Sequence, residues 1–394
     1  MSFDPARLDA ILQQAVDRSA VPGLSAVVVD RDGVRYAGHA GALRADGPAV
    51  DDRTLFRWAS TTKALASVAA LQLVEQGRLG LDDDAATHVP EIGALQVLEG
   101  FDGDEPRLRP PSRTPTVREL LTHTAGFGYH FLNPDLLRYL ELTGKPSVFT
   151  GLKAALTDVP MIRDPGQAWE YGTNTDWLGL VVEAVSGQTL GAYLAEHVLG
   201  PLEAEDVTFR PTDEQRSRTM PIHARTPDGG LMEIPLDLAP DPEWEAAGHG
   251  LVGPASAYAR FLQAMLRDGE LDGARILRPE TVALAFSDQL AGAPMPTDGI
   301  RSADPQFSND VPPSPVPESW GLGFHLVHAD VPGMRSSGTG DWAGLFNLYY
   351  WIDREAGLAG MVLTQLLPFF DAAVVETFQA LEVESYAQAR AAVA

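Results

Sequence analysis

The chain has 394 residues, of which 45% are hydrophobic and none is cysteine, and its formal net charge is −25. This length exceeds one ordinary core and fits a large enzyme with a subdomain, or two domains. The lack of cysteine excludes disulfides, thiol catalysis and thiolate metal sites. The acidic surface disfavours nucleic acid and anionic membranes as partners.

The N-terminal segment predicts an amphipathic helix followed by a β-hairpin. Residues 1–23 carry acidic side chains early and have no unbroken apolar run, unlike a signal peptide. No window approaches the 18 apolar residues of a membrane span, so we expect a cytoplasmic protein. In Gly23–Gly41, two β-rich runs flank the turn DRDG, which indicates a hairpin.

The C-terminal segment repeats this combination of strands and a helix. Two strands are predicted at Leu345–Asp353 and Leu358–Leu366, on either side of the turn REAG, and a final helix at Phe370–Ala392. Strands at both ends of a chain usually pair in one sheet, with the terminal helices covering a face.

The middle of the chain contains helical patterns that stop at glycine. A helix entered near Ala59–Ser60 runs to Gly77, and others are predicted over Thr116–Gly126, Thr175–Gly187 and Ser256–Gly269. We therefore predict an α/β protein of the α+β type with a mainly antiparallel sheet. Its sheet domain comprises residues 1–75 and 275–394, and an all-helical domain of residues 76–274 is inserted between the two parts.

One long segment has no regular pattern. Ala291–Trp320 is rich in proline, serine and aspartate. A loop of this length inside a compact domain is usually either functional or disordered. We predict a lid or a wall of a cleft, with plain disorder as the alternative.

Ser60 and Lys63 form the pair that points to chemistry. They stand three residues apart at the start of a helix, so they share one face within contact distance. The chain has only three lysines, and this one is surrounded by alanines and Ser67. A buried ammonium should have a lowered pKa and become a usable base. The backbone N–H of Ser60, at the helix start, is a ready oxyanion donor.

The competing interpretation is that Ser60 caps the helix while Lys63 extends its charge into water. Other catalytic signatures are missing, however. The sequence has no G-x-S-x-G nucleophile elbow, no H-E-x-x-H zinc motif and no phosphate-binding glycine loop. The hydrolytic chemistry that remains is a serine with a lysine base.

Beyond this pair, the sequence resembles the serine β-lactamase and DD-peptidase superfamily, and within it the class C β-lactamase-like esterases known as family VIII carboxylesterases. Five segments carry the resemblance in family order: Leu55–Ile92, Thr116–Tyr129, Pro165–Leu190, Gly248–Leu266 and Gly340–Phe370. The resemblance implies a β-lactamase/transpeptidase-like fold, with a site in the groove between the sheet domain and the helical domain.

The family's first two motifs imply three catalytic residues. S-x-x-K matches Ser60 and Lys63, and the tyrosine of Y-x-N matches Tyr171. The third position of that motif is Thr173, with Asn174 one residue late, which puts the usual amide contact to substrate in question. Beside Lys63, the phenol of Tyr171 should lose its proton more easily.

The third motif bears on the substrate. Where lactamases carry K-[ST]-G, many of the esterases carry W-x-G, and this sequence has Trp342-Ala343-Gly344; Ser337–Gly340 is a rival placement. In lactamases the lysine helps to hold the substrate carboxylate. Its replacement by Trp342 points to a neutral ester substrate.

The resemblance thus implies a carboxylesterase that works through an acyl-enzyme without cofactor or metal. Ser60 attacks the ester, Lys63 and Tyr171 move its proton, and the N–H groups of Ser60 and of Gly344 or Leu345 hold the oxyanion. Alternatives with the same residues are an acyltransferase, an amidase and a weak β-lactamase. A non-catalytic binding protein on this scaffold is a further alternative. The oligomeric state stays open.

Overall fold

The computed structural model describes residues 3–44, 46–236 and 242–393. Within them the α-helices are α1 (Pro5–Asp17), α2 (Thr62–Glu75), α3 (Val117–Leu121), α4 (Pro134–Thr143), α5 (Ala154–Thr157), α6 (Asn174–Ser186), α7 (Leu190–Leu194), α8 (Asp213–Ser217), α9 (Ala255–Leu266), α10 (Pro279–Ala285) and α11 (Ala372–Val393). The strands are β1 (Gly23–Asp30), β2 (Gly33–Gly41), β3 (Phe56–Arg57), β4 (Val97–Asp102), β5 (Glu105–Arg109), β6 (His223–Arg225), β7 (Leu231–Glu233), β8 (Val252–Gly253), β9 (Glu270–Leu271), β10 (Ala274–Arg275), β11 (Glu318–Trp320), β12 (His325–Val327), β13 (Gly340–Gly344), β14 (Leu348–Asp353), β15 (Leu358–Leu363) and β16 (Leu366–Leu367).

A seven-stranded antiparallel sheet in the order β11-β12-β13-β14-β15-β1-β2 joins the two ends of the chain. The predicted hairpin is β1 and β2, and the predicted C-terminal strands are β14 and β15. Since β15 pairs with β1, the prediction that both ends share one sheet is confirmed.

Both faces of this sheet are covered, so its central strands are apolar on both sides. In β1, Ala26 and Val28 face a core layer formed with α1 and α11, whereas Val27 and Val29 face the main core on the opposite side. The terminal helices therefore lie on one face of the sheet, as predicted. Helix α2, which carries Lys63, belongs to the main core.

Two observations bear on the insert of residues 76–274, which the domain prediction gives as mainly helical. Helix α9 falls inside the predicted insert 76–274, yet it packs against β1, β14 and β15 because its apolar face covers the sheet. The insert is also not entirely helical. It contains the β4–β5 hairpin, in which Asp102-Gly103-Asp104 supplies a turn with Gly103 at φ 61°, and the short strands β6 and β7.

One predicted helix ends earlier, and one predicted strand begins later, than the sequence pattern indicates. Helix α3 stops at Leu121 because the chain turns at His123, whose φ is 56°. Strand β14 begins at Leu348 because Asn347, with φ 60°, makes a turn after β13.

The patternless segment Ala291–Trp320 is folded against the rest of the chain. Ile300 bridges to Val311, and Ser308 bridges to Phe369. The ring of Phe307 stacks on Phe149 at 5.4 Å between centroids. Its last residues form β11, so the alternative of plain disorder does not describe it, and the lid or wall stays a prediction.

No single helix in the described ranges is long and apolar enough to cross a membrane. The segments Asn174–Ser186 and Leu190–Leu199 pass such a test only together, as a pair bent by 77°. The same ranges hold no group of three or more histidine, aspartate or glutamate side chains that could bind a metal ion.

Candidate active site

Ser60 lies in a tight turn that hydrogen bonds hold on both sides. The 3-10 turn Ala59–Thr61 precedes α2, and Ala59 has a φ of 46°, a conformation that a residue with a side chain seldom adopts. The turn is held because the Trp58 indole donates to the carbonyl of Gly253 at 3.0 Å, and the phenol of Tyr258 donates to the carbonyl of Thr61 at 3.1 Å. Such strain is typical of functional positions.

Lys63 is buried at the centre of the protein, since α2 is buried almost all round and this side chain is 2% exposed. Its Nζ lies 3.2 Å from the Ser60 Oγ, 3.0 Å from the phenol oxygen of Tyr129 and 2.7 Å from the carbonyl oxygen of Gly248. The lysine therefore does not reach solvent. Ser60 is the N-cap of neither helix, since Trp58 precedes the 3-10 turn and Thr61 precedes α2, so neither part of the competing interpretation holds.

The lowered pKa of Lys63 suits a general base. Burial lowers its pKa to about 7, and the carboxylate of Asp176 opposes this shift. A neutral lysine has two N–H donors and one lone pair. If the donors serve Tyr129 and Gly248, whose oxygens accept, the lone pair is left for the hydroxyl proton of Ser60.

Tyr171 is placed beside this pair. Its phenol oxygen accepts a 2.8 Å hydrogen bond from the Trp342 indole and interacts with the Ser60 hydroxyl. Lys63 Nζ lies 4.8 Å from the centre of its ring. Burial raises the pKa of Tyr171, and the hydrogen bonds with Ser60 and Trp342 offset only part of this effect. The prediction of an easily lost phenol proton is therefore wrong, because desolvation outweighs the neighbours; Tyr171 is better suited to donate a proton.

A close backbone approach sets the position of Tyr171. A Cβ on Gly172 would lie 2.2 Å from the carbonyl oxygen of Phe127 and 2.5 Å from the backbone of Gly128. Only glycine lets the two segments touch here. This contact brings Tyr171 to the segment that carries Tyr129, and the two rings meet at 5.4 Å.

Asn174 lies in the interior and not in the groove. Its amide nitrogen is 3.0 Å from His123 Nδ1 and donates to the carbonyls of Phe127 and Glu170, and the side chain is 0% exposed. The predicted substrate contact has no geometric basis, because the helix start directs this amide inward. His123 is buried against Tyr171 at 4.9 Å, and burial holds its pKa well below the usual value. Both residues hold the Tyr171 segment in place.

The end of β13 lies against the Ser60 turn. A Cβ on Gly344 would lie 2.8 Å from the carbonyl oxygen of Trp58 and 3.3 Å from the Cβ of Ala59. Leu345 follows and lines the same small cavity as Ser60. This places the predicted oxyanion residues beside the nucleophile. The rival motif Ser337–Gly340 lies mostly in the turn that precedes β13.

The cavity at Ser60 is small and mainly aromatic. No lysine or arginine occurs among the described residues that line it, which are Ala59, Ser60, Tyr129, Phe131, Phe149, His249, Leu345 and Phe346. Burial and the nearby Lys63 lower the pKa of His249 to about 3, so this imidazole is neutral at ordinary pH.

Asp176 and Tyr129 are the site residues that the sequence prediction missed. Asp176 is 0% exposed and accepts a 2.7 Å hydrogen bond from the N–H of Gly248. Burial raises its pKa to about 6 against the opposing effects of Lys63, Gly248 and Tyr129. The signal in the sequence was a carboxylate in the apolar run NTDWLGLVV, five residues after Tyr171. Tyr129 closes the segment Thr116–Tyr129, but no local pattern marks its contact with Lys63.

Together these groups can carry out acyl transfer. The Ser60 hydroxyl is a potential nucleophile in contact with the amine of Lys63, the protonated phenol of Tyr171 lies beside it, and the end of β13 lies next to the Ser60 turn. None of these roles needs a metal or a cofactor.

Comparison with known proteins agrees with this geometry. The Beta-lactamase family model matches residues 8–384. The monacolin J acid methylbutanoyltransferase of Aspergillus terreus is 33% identical over 97% of this chain and 95% of its own length. The lovastatin esterase of Penicillium rubens is 29% identical over 90% of this chain and 91% of its own length.

A solved structure gives the same answer for the fold. A mutant of the simvastatin synthase LovD from Aspergillus terreus superimposes with a TM-score of 0.83 at 30% identity, covering 98% of this chain and 97% of that one. This structural match and the family match both extend over nearly the whole chain. The chain therefore belongs to the Beta-lactamase family, within which it is an enzyme of the serine acyl-transferring class.

Proposed function

We propose that this enzyme cleaves neutral carboxylic esters through an acyl group carried on Ser60. The observation that supports this most strongly is the contact of the buried, weakly basic Lys63 with the Ser60 hydroxyl at 3.2 Å. Burial lowers the pKa of Lys63 well below that of an ordinary lysine, which favours the neutral amine that can accept the serine proton.

The reaction proceeds in two steps. Ser60 Oγ attacks the ester carbonyl carbon as its proton passes to Lys63, and the N–H groups of Ser60 and Leu345 hold the carbonyl oxygen as it becomes an oxyanion. The C–O bond to the alcohol then breaks, and Tyr171 gives its proton to the leaving oxygen and regains one from Lys63. In the second step an acceptor attacks the acyl group by the reverse proton movements.

The neutral charge of the substrate follows from the groups around the reacting atoms. Trp342 stands where lactamases carry the lysine of the third motif. Its indole N–H donates to the phenol oxygen of Tyr171. The cavity at Ser60 is lined by aromatic and apolar side chains and a neutral imidazole. An anionic substrate would leave its carboxylate without a cationic partner there.

Acyl transfer to an alcohol is the second candidate. The relatives include both an enzyme named as a methylbutanoyltransferase and one named as an esterase. Because both reactions use the same acyl-enzyme, they differ only in whether water or an alcohol attacks it in the second step.

One assay tests both candidates. Nitrophenyl butanoate is supplied with increasing concentrations of a primary alcohol, and the acid and the new ester are quantified by chromatography. Nitrocefin is run in parallel as an anionic substrate. We expect ester cleavage well above nitrocefin cleavage. Butanoic acid as the main product identifies a hydrolase, and the new ester as the main product identifies a transferase. No cleavage of any neutral ester contradicts the proposal.

A further inference from the structure

The indole of Trp342 is a hydrogen-bond donor to the phenol of Tyr171. Its N–H donates to the phenol oxygen at 2.8 Å. Burial raises the pKa of Tyr171, and this hydrogen bond opposes that effect. When Tyr171 gives its proton to the leaving alcohol, its oxygen becomes negative in a buried site, where a fixed donor stabilises it most. The orientation of the Trp342 ring therefore bears directly on the reaction.

Three further aromatic side chains pack against the indole of Trp342. The ring of Trp320 meets it edge-on at 4.6 Å, the ring of Trp169 lies at 6.2 Å, and the imidazole of His325 lies at 6.0 Å, inclined by 45°. Trp320 is itself fixed, because its indole donates to the carbonyl of Leu121 at 3.1 Å. Of these three neighbours, His325 is the one that can carry a charge.

His325 is held by both of its ring nitrogens. Its Nδ1 lies 2.6 Å from Asp341 Oδ1, and its Nε2 lies 2.9 Å from Glu318 Oε2. Because an ionised carboxylate only accepts hydrogen bonds, each nitrogen must carry a hydrogen, and the imidazole is a cation. Burial lowers its pKa, but the two carboxylates outweigh this effect and raise the pKa to about 9. The ring therefore cannot turn without breaking two charge-assisted hydrogen bonds.

The fixed imidazole acts on Trp342 in two ways. His325 pairs with Asp341 across β12 and β13, and Asp341 directly precedes Trp342, so their ion pair holds the strand beside the indole. The imidazole also contacts the rings of Trp342 and Trp320, at 6.0 and 6.2 Å. A cation at about this distance is attracted to a tryptophan ring. Both effects oppose rotation of the indole and keep its N–H on the phenol oxygen of Tyr171.

We propose that His325 is a positioning residue for the reaction, which fixes the indole of Trp342 so that its N–H meets the phenol oxygen of Tyr171. His325 acts through Trp342 and not on the substrate itself. Without His325 the indole turns more freely, and Tyr171 loses part of the support that its oxygen needs as it gives up the proton. The proposal rests on the proposed function, in which Tyr171 protonates the leaving alcohol.

Two esters of the same acid isolate the step that needs Tyr171. The alkoxide that leaves ethyl butanoate needs a proton, whereas the nitrophenolate that leaves nitrophenyl butanoate is stable without one. For each ester, kcat/KM reports the steps up to the departure of the alcohol. Release of the alcohol is measured, so that hydrolysis and acyl transfer are counted alike. The ratio of kcat/KM for nitrophenyl butanoate to that for ethyl butanoate, which we call the leaving-group ratio, therefore rises when Tyr171 donates its proton less well.

Three variants show whether His325 acts through Trp342. Trp342→Phe keeps an aromatic ring but removes the N–H, and its leaving-group ratio should rise about tenfold or more over wild type, the value of one hydrogen bond to a charged oxygen. His325→Gln should raise the ratio at least about threefold, because part of that hydrogen bond is lost. In the double variant, His325→Gln should add no further rise to that of Trp342→Phe, because the N–H through which it acts is gone.

The matched control is His197→Gln, at a position outside these contacts, and its leaving-group ratio should equal that of wild type. Glu318→Gln is a milder second variant, used if His325→Gln does not fold. It removes one of the two carboxylates that hold the imidazole and should raise the ratio by a smaller factor. All assays are run at pH 7, where His325 is charged because its pKa is about 9. Folding is checked by circular dichroism and thermal unfolding.

Two results would overturn the proposal. One is an unchanged leaving-group ratio in Trp342→Phe, or in the folded His325→Gln or Glu318→Gln variant, even where both esters are cleaved more slowly, since a merely structural defect slows them equally. The other is a rise on His325→Gln that is as large in the Trp342→Phe background as in wild type. In both cases wild type still cleaves esters, so the proposed function stands. A wild type that cleaves neither ester overturns the proposed function, and this proposal with it.

Discussion

At the scale of single residues, Lys63 and Asp176 determine the protonation of the site together. Lys63 contacts Ser60, Tyr129 and Gly248, and the buried carboxylate of Asp176 supports its positive charge. The lysine–serine contact was predictable because the two residues are neighbours on one helix turn. Tyr129 and Gly248 are 66 and 185 residues away from Lys63, so only the folded chain reveals them.

Replacing Asp176 by asparagine should move the acid limb of the pH–rate profile to lower pH. The carboxylate raises the pKa of Lys63, which burial otherwise lowers, so its removal should lower that pKa further, by about one unit or more. The measurement is kcat/KM of a neutral ester against pH. Glu183→Gln, which changes a carboxylate on the same helix that bonds the N–H of Leu190, is the control. An unshifted limb in Asp176→Asn would show that this charge does not act on the base.

Tyr171→Phe should lower kcat by roughly 10²-fold or more, the usual value of general acid–base help, while KM stays within about threefold. The reason is that burial keeps the phenol protonated. The phenylalanine variant therefore lacks the proton donor but keeps the aromatic ring. Steady-state kinetics on ethyl butanoate, whose alkoxide leaving group needs a proton, provide the measurement. A raised KM with an unchanged kcat would instead make Tyr171 part of the pocket wall.

At the scale of elements, the site depends on the contact between the end of β13 and the Ser60 turn. The sequence pattern predicted β14 and β15 well because alternating and apolar strands are local signals. It did not predict where β13 ends, because that end is set by the approach of Gly344 to Trp58 and Ala59, which lie in a distant turn. The shortened α3 has the same kind of cause, since His123 turns inward to pack on Tyr171.

Gly344→Ala should therefore reduce catalysis more than stability. Its Cβ would lie 2.8 Å from the backbone oxygen of Trp58, so β13 must shift away from the Ser60 turn, and the N–H of Leu345 moves with it. Loss of one oxyanion donor costs about 10²–10³ in kcat. Gly93→Ala, where the nearest neighbour of the added Cβ would be the Cβ of Ala86 at 3.5 Å, is the control. Equal kcat in both variants would show that β13 does not supply the donor.

At the scale of the whole molecule, a buried charged network joins three strands to the C-terminal helix. His325 on β12 lies 2.9 Å from Glu318 on β11 and 2.6 Å from Asp341 on β13. Arg335 bridges Asp341 to Glu382 on α11. Such a network could not be read from the sequence, because its five members gain their partners only when the sheet and α11 assemble.

The network predicts a pH-dependent stability. Burial lowers the pKa of His325, but Asp341 and Glu318 outweigh it and raise the pKa to about 9. A raised folded-state pKa gives stability that is present below about pH 6.5 and is lost as the pH rises through 9. The unfolding free energy of wild type minus that of His325→Gln should thus shrink by about 3 kcal/mol between pH 6 and 10.

Urea unfolding at several pH values measures this difference, and subtracting the variant removes the contributions of other groups. His197→Gln, at a position outside the network, is the control. A difference that is constant or grows with pH would mean that His325 is not charged in the folded protein.

The central claim is that Ser60 carries the acyl group, with Lys63 as its base, and trapping the acyl-enzyme tests it most directly. Nitrophenyl butanoate is mixed with wild type, Ser60→Ala and Lys63→Ala, the reactions are quenched in acid within the first turnovers, and intact masses and peptides are analysed. The account predicts a butanoyl group on the peptide that contains Ser60 in wild type, and none in either variant. A butanoyl group on another residue, or Ser60→Ala hydrolysing the ester at more than about a tenth of the wild-type rate, would contradict it.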